Sequence, residues 1–274
     1  MLERFDYINS FNETLEFGKD RLFVNENDLR DFAWNITSKN DRISGFKKGI
    51  VSKTIPVILK CDSEAEGIDL RNRLFEVFEK DVLTNKHGKI YIGDYYLRCF
   101  ITGSKKSNYL IHKGYMVVSL TVRTDLPEWV KETRSYHSFQ TGDVSDFLDY
   151  SYDFPYDYKK QTINANVINE SFASSNFVLR IIGKIANPTL YIGGHKIAVN
   201  VIVNENEYLT IDSMNKTIVL TEEDGNEVNC FNDRCRDSYV FEKIPAGASE
   251  VMTVGEPFDF ELTLFEERSE PKWT

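Results

Sequence analysis

Four histidines, four cysteines and a large excess of carboxylates are the residues in this 274-residue chain whose types could do chemistry. Histidine is the usual acid–base group near neutral pH and, with cysteine, the usual zinc ligand. His87, His112, His137 and His195 are scattered, most of them in predicted turns, and none stands at a short metal-binding spacing from another histidine or a cysteine pair. Cys230 and Cys235 form a lone C-x4-C, whereas a structural zinc site wants four ligands; Cys61 and Cys99 lie far upstream. Four free thiols, no metal and no cofactor are expected. Asp143, Asp146, Asp149, Asp153 and Asp157 lack the alternate-position acids, central glycine and terminal glutamate of a calcium loop, so a solvated acidic linker is the expectation. Neither a serine nucleophile elbow nor a phosphate loop nor a dinucleotide fingerprint occurs. A carboxylate pair for glycoside hydrolysis would meet only in the fold, so spacing cannot reveal it. No enzymatic activity is expected.

Trp129-Val130-Lys131-Glu132-Thr133-Arg134 fits half of a galectin-type sugar site, but the upstream histidine–asparagine–arginine strand that should accompany it is missing. Trp129 is therefore expected to be a buried anchor, and a lectin-like wall-binding module stands as the alternative to a structural role. The chain carries 33 Lys+Arg against 43 Asp+Glu, a net charge of −10. Its basic clusters, such as Lys47-Lys48 and Lys105-Lys106, are short. Binding a phosphate backbone relies on clustered cations that release counterions, so specific nucleic-acid binding is not expected. The opening residues Met1 to Asp6 carry charges where a signal peptide needs an apolar run, and nothing reaches membrane-spanning length. No membrane association is expected.

The elements that must position any site are mostly strands. Ile55, Val57, Leu59 and Cys61 share one face of a strand, with Pro56 pointing to an edge; Met116, Val118, Leu120 and Val122 repeat the alternation. Ile197, Val199, Val201 and Val203 follow, then Phe258, Phe260, Leu262 and Leu264. Gly93-Asp94 and Gly193-Gly194-His195 read as tight hairpin turns, and Asp212 to Lys216 as another reversal. One helix is predicted over about 64–83: Ser63 and Glu66 form a capping box, and Leu70, Leu74, Val77 and Phe78 recur at helical spacing. Composition shifts after Trp129, where "DVSDFLDYSYDFPYDY" from Asp143 reads as an extended segment draped over a surface. Two domains are expected: residues 1–130, a β domain carrying the helix, and 131–274, an acidic and aromatic linker followed by a second β domain.

Several segments, in this order, carry a resemblance: the hairpin "KIYIGDYYLRCFITGS", the strand end "RTDLPEW", the run "DFPYDY", "FVLRIIGKIANPTLYIGG" from Phe177, "IPAGASEV" from Ile244 and "FEERSEPKW" from Phe265. Their succession resembles the siphophage distal tail proteins of Gram-positive-infecting phages. The resemblance implies a mostly β fold, with a split-barrel-like N-terminal domain and a galectin-like β-sandwich. It implies a homohexameric ring, single or back to back, whose N-terminal domains form the inner part. The ring would join the tail tube protein to the tail-tip (Tal) protein and dock receptor-binding proteins. It implies a place in the virion, at the tail tip, after assembly in the host cytoplasm. A ring needs two different patches on one subunit that fit each other. The Gly- and Lys-containing excursion from Asp41 to Ser52 is the expected patch, with Asp41, Arg42, Ile43, Phe46, Lys47, Lys48, Ile50 and Val51 as its interface residues.

Overall fold

The structure, a computed structural model, describes residues 4–19, 21–24, 26–110, 114–138, 160–161, 166–256 and 258–273. The acidic stretch Asp143 to Tyr158 and His112 lie outside the described residues. The chain divides into two compact units, Met1–Lys131 with Glu267–Thr274, and Glu132–Glu266.

The first unit contains β1 (Phe5–Ile8), β2 (Thr14–Phe17), β3 (Leu22–Val24), β4 (Asn35–Lys39), β5 (Arg42–Lys47), β6 (Val51–Lys60), α1 (Glu64–Thr84), β7 (Gly88–Ile92), β8 (Tyr95–Leu110), β9 (Tyr115–Thr124) and the start of β10 (Trp129–His137). Gly93 at positive φ turns β7 into β8, as the glycine-led hairpin predicts. The long β8 belongs to two layers: Tyr95 to Cys99 pair with β7, and Phe100 onward pair with β9 through register shifts at Ile101/Gly103 and Lys106/Asn108. Such bulges bend a strand, and here they turn one sheet into the wall of an open barrel. The alternation in β6 and β9 buries Ile55, Val57 and Leu59 against Met116, Val118, Leu120 and Val122. β6 is not a simple edge strand, because β3 covers Val57 to Leu59 opposite β9; Pro56 lies one residue beyond β3. Trp129 is buried in this core.

Helix α1 starts where Ser63 accepts a hydrogen bond from the Glu66 amide, while the Glu66 carboxylate accepts from the amide of Asp62 rather than that of Ser63. Asn85 closes it in the left-handed conformation. Leu74, Val77 and Phe78 face the core, and among them sits Asp81, with no exposed surface. Its carboxylate accepts from the Tyr7 hydroxyl at 2.5 Å, the Ser10 amide at 2.8 Å and the Ser10 hydroxyl at 2.7 Å. Gly88 makes room for this knot: a Cβ there would lie 2.4 Å from the Tyr7 oxygen. Near the end of the chain, Arg30 donates to the Pro271 carbonyl and stacks on Trp273, which explains the "PKW" close of the sequence.

The second unit contains the rest of β10, then β11 (Lys160–Gln161), β12 (Asn166–Asn169), β13 (Asn176–Ile182), β14 (Ile185–Ala186), β15 (Thr189–Ile192), β16 (His195–Ala198), β17 (Ile202–Val203), β18 (Tyr208–Asp212), β19 (Thr217–Thr221), β20 (Glu227–Asn229), β21 (Gly247–Thr253) and β22 (Asp259–Arg268). One sheet runs β10-β22-β13-β18-β19-β20 and a second β12-β21-β15-β16; Phe177, Leu179, Ile181, Phe260 and Leu262 from the first meet Leu190, Ile192 and Val251 from the second. This is a β-sandwich. The expected strand through Ile197 to Val203 is broken: β16 stops at Ala198, β17 begins at Ile202, and Val199 makes an isolated bridge to Arg234. Among the described residues α1 is the one α-helix, and the fold is mostly β, as expected.

His137 does not lie in a turn. It ends β10, 1% exposed, with its ring stacked 4.6 Å from that of Phe260 and one nitrogen 2.9 Å from the Ser135 hydroxyl; among the described residues Nδ1 has no hydrogen-bond partner. Burial pushes its pKa down to about 4. The native ring therefore stays neutral while the unfolded chain, with an ordinary histidine near 6.5, takes up a proton. This unit should keep His137's contribution above pH 6.5 and lose up to about 3 kcal/mol as the pH falls from 6.5 to 4. Urea titrations of the wild type and His137→Phe should diverge across that window, with the variant flatter; parallel curves would contradict the assignment.

Candidate assembly interface

The residues expected at an interface lie on the second half of a β-hairpin and its exit. Asn40 and Asp41 both have positive φ, the two-residue turn that matches strand twist, and β4 and β5 pair across it. Ile36 faces Phe46 and Ser38 faces Ile43, with a register shift between Thr37 and Ser38 that leaves Ser44 as the extra residue. Cross-strand partners share a face. The bulge thus brings Ile43 and Phe46, three apart in sequence, to the same side as Ile36. Trp34, just before β4, packs edge-on to Phe46 at 6.4 Å. Asn35, Thr37, Lys39, Arg42 and Lys47 take the opposite face. Gly45 sits where a Cβ would press on the Thr37 hydroxyl at 3.0 Å.

The apolar face is bare. Ile36 is 60%, Ile43 61%, Phe46 58% and Ile50 75% exposed, with Phe32 and Trp34 about half exposed nearby. Among the described residues β4 and β5 pair with each other and with no third strand. An isolated two-stranded hairpin is marginal in water, and a cluster of exposed large apolar residues marks an interaction surface. The hairpin also carries Lys39, Arg42 and Lys47 against Asp41, a basic cluster on a chain of net charge −10.

Its root is held rigidly. The Lys48 side chain is 8% exposed, paired with Glu128 at 3.4 Å and seated over the Trp34 ring at 4.5 Å. Buried Lys53 donates to the carbonyls of Asp28 and Asp31, which ties the preceding loop to β6; burial lowers its pKa, with Asp28 and Asp31 opposing. Of the eight residues expected at the interface, Asp41, Arg42, Ile43, Phe46, Lys47 and Ile50 project from the hairpin and its exit, Lys48 anchors the root, and Val51 opens β6, half-buried. The sequence reading missed the first strand and its Trp34 and Ile36. Asn40-Asp41 between "NITSK" and "RISGFK" is the turn signal that would have found them.

Elsewhere, among the described residues, no three His, Cys, Asp or Glu side chains converge as a metal site would require, and no helix is long and apolar enough to cross a membrane. All four cysteines are free. Glu132 and Arg134 from the galectin-type half-motif line a shallow depression of about 270 Å³ on the second unit with Arg180, Glu261 and Phe265; Trp129 does not.

No family model matches the sequence, and no curated protein matches it. Solved structures do share its fold. The SPP1 Dit (gp 19.1) protein, described as a paradigm of the hub adsorption apparatus in Gram-positive infecting phages, aligns with a TM-score of 0.64 at 11% identity, over 96% of this chain and 99% of that one. A chain of the phage P2 baseplate in its activated conformation with Ca aligns with a TM-score of 0.61 at 13% identity, over 99% and 100%. A chain of the corresponding Sr baseplate gives 0.60 at 12%, over 98% and 99%. Over nearly its whole length, this chain has the fold of the phage tail hub protein Dit and of a phage baseplate component.

Proposed function

We propose that this protein is a structural hub of a phage tail tip, a non-enzymatic subunit of the virion that closes with copies of itself into a six-membered ring. The carrying observation is the fold shared with the SPP1 hub protein over almost all of both chains. The hairpin supplies what such a subunit needs. It is a rigidly rooted, amphipathic projection with its apolar face open, and Asp41, Arg42, Ile43, Phe46, Lys47 and Ile50 lie on it or at its exit, with Lys48 and Val51 at its base. In this reading the ring joins the tail tube protein to the tail-tip (Tal) protein and docks receptor-binding proteins, after assembly in the host cytoplasm. The first unit forms the inner part of the ring. Light scattering of the purified protein is expected to give six or twelve times the chain mass. Monomer mass at every soluble concentration, with no ring on isolated tails, would contradict it.

A second reading, a lectin-like module for host-wall polysaccharide, rests on the Glu132–Arg134–Arg180–Glu261 depression. It predicts that Arg180→Ala abolishes binding in a cell-wall pulldown. Equal or absent binding by both proteins removes it.

A further inference from the structure

The β4–β5 hairpin carries its charge and its apolar groups in a fixed order of rows. Lys39 pairs with Arg42 at the tip, then Ser38 with Ile43, Thr37 with Gly45, Ile36 with Phe46, and Asn35 with Lys47 at the base. Cross-strand partners share a face and successive rows alternate. The first and last rows therefore put cations on one face, and the second and fourth put apolar side chains on the other. Along β4 the two cationic rows are four residues apart, about 14 Å. One stretch of the chain, outside the described residues, has the complementary order. Asp149-Tyr150-Ser151-Tyr152-Asp153 and Asp153-Phe154-Pro155-Tyr156-Asp157 both run acid, aromatic, small residue, aromatic, acid. In an extended strand the aspartates would share one side and the aromatics the other, and the aspartates repeat at the same four-residue interval as the hairpin's cations.

We propose that this acidic, aromatic segment of a neighbouring copy adds to the free edge of β4 as a third strand. The inference rests on the hub reading above and names the second patch that a ring of identical subunits requires. An unpaired strand edge supplies backbone donors and acceptors, and side chains on the two faces set the register. With the rows aligned, two aromatics extend the apolar face beside Ser38 and Ile36. One aspartate lies beside Lys39 and the other beside Asn35, with Arg42 and Lys47 one strand behind, within reach of long side chains. A one-residue slip sets acid against the apolar face, so the pattern specifies its own register. β4 is the regular edge, because the bulge at Ser44 interrupts β5. Pro155 stands among the odd positions, whose N–H groups point away from β4 when the even positions bond to it, so its missing donor is tolerated. The segment's ends meet at one place: β10 ends at His137, and β11 runs beside it with His137 opposite Gln161. Half of residues 139–159, fully extended, spans roughly 35 Å, which sets the reach from that junction. Because hairpin and segment differ, the contact is heterologous and propagates around a ring.

Charge exchange tests the pairing by light scattering, with a thermal melt of each protein beside it. Lys39→Glu/Arg42→Glu/Lys47→Glu and Asp149→Lys/Asp153→Lys/Asp157→Lys should each weaken self-association by at least about tenfold. Mixing the two variants, or combining all six substitutions in one chain, should restore it. Cross-linking locates the contact. Ile36→Cys copies are mixed with Tyr152→Cys copies, both in a Cys235→Ser background because Cys61, Cys99 and Cys230 are buried. A short bis-maleimide is expected to join one copy of each kind and to join neither kind to itself. If the aspartate variant keeps the wild-type mass and no link forms between copies, the hairpin seats elsewhere and the hub reading survives. A chain carrying both cysteines that links only within itself overturns the pairing in the same way. If the wild type is monomeric at every soluble concentration, uncross-linked, and forms no ring on isolated tails, both readings fall.

Discussion

Ile36→Ser/Ile43→Ser/Phe46→Ser is expected to leave a folded protein that no longer self-associates. The three side chains form one face of the hairpin, and each is already more than half exposed in the single chain. Their loss therefore removes little buried area, and the melting temperature should move by no more than surface substitutions usually cause. At an interface the same residues would be central apolar anchors, where a single truncation costs about 2 kcal/mol or more. Allowing for non-additivity, the triple variant should weaken assembly by about 4 kcal/mol, roughly a thousandfold. Sedimentation equilibrium beside a thermal melt separates the outcomes. A variant that melts normally yet assembles like the wild type would clear the hairpin of any role.

The second large effect is expected at Asp81, buried on the core side of α1. Asp81→Leu keeps an apolar-compatible shape on the buried side of α1 but strands the Tyr7 hydroxyl, the Ser10 amide and the Ser10 hydroxyl without their acceptor. Each unsatisfied buried donor costs about 1–3 kcal/mol, and Ser10 can recover part of its share from water, so a loss of about 4 kcal/mol is expected. That is a large fraction of a domain's stability. Gly88→Ala should destabilise through the same knot, because the added methyl collides with the Tyr7 oxygen and the Asp81 carboxylate. Chemical denaturation of both variants measures it; Asp81→Leu within 1 kcal/mol of the wild type would show that the knot is dispensable.

Much of this architecture can be read without coordinates, and the parts that cannot share a physical cause. The period-two strands through Ile55 to Leu59, Met116 to Val122 and Phe258 to Leu264 carry their burial in local pattern, as do the Gly93-Asp94 turn and the Ser63–Glu66 helix start. What depends on distant partners stays hidden. Asp81 looks like any surface acid until Tyr7 and Ser10, some seventy residues earlier, close around it. Trp34 and Ile36 break no rule in sequence, and only the bulge at Ser44 shows that they share a face with Ile43 and Phe46. His137 is polar by type and buried by context. The strand through Ile197 to Val203 alternates correctly yet breaks, because Val199 bridges to Arg234 rather than to a neighbouring strand. The position of the exposed β4–β5 projection was legible, from glycine, lysine and isolated apolar residues between strands. Its shape was not.

The most direct test is a cryo-electron-microscopic map of the tail tip of a phage that carries this chain. The account predicts six copies in a closed circle around the channel below the tail tube, with each hairpin lying on the next copy. A map with no such circle, or with this chain bound singly elsewhere on the particle, would contradict it.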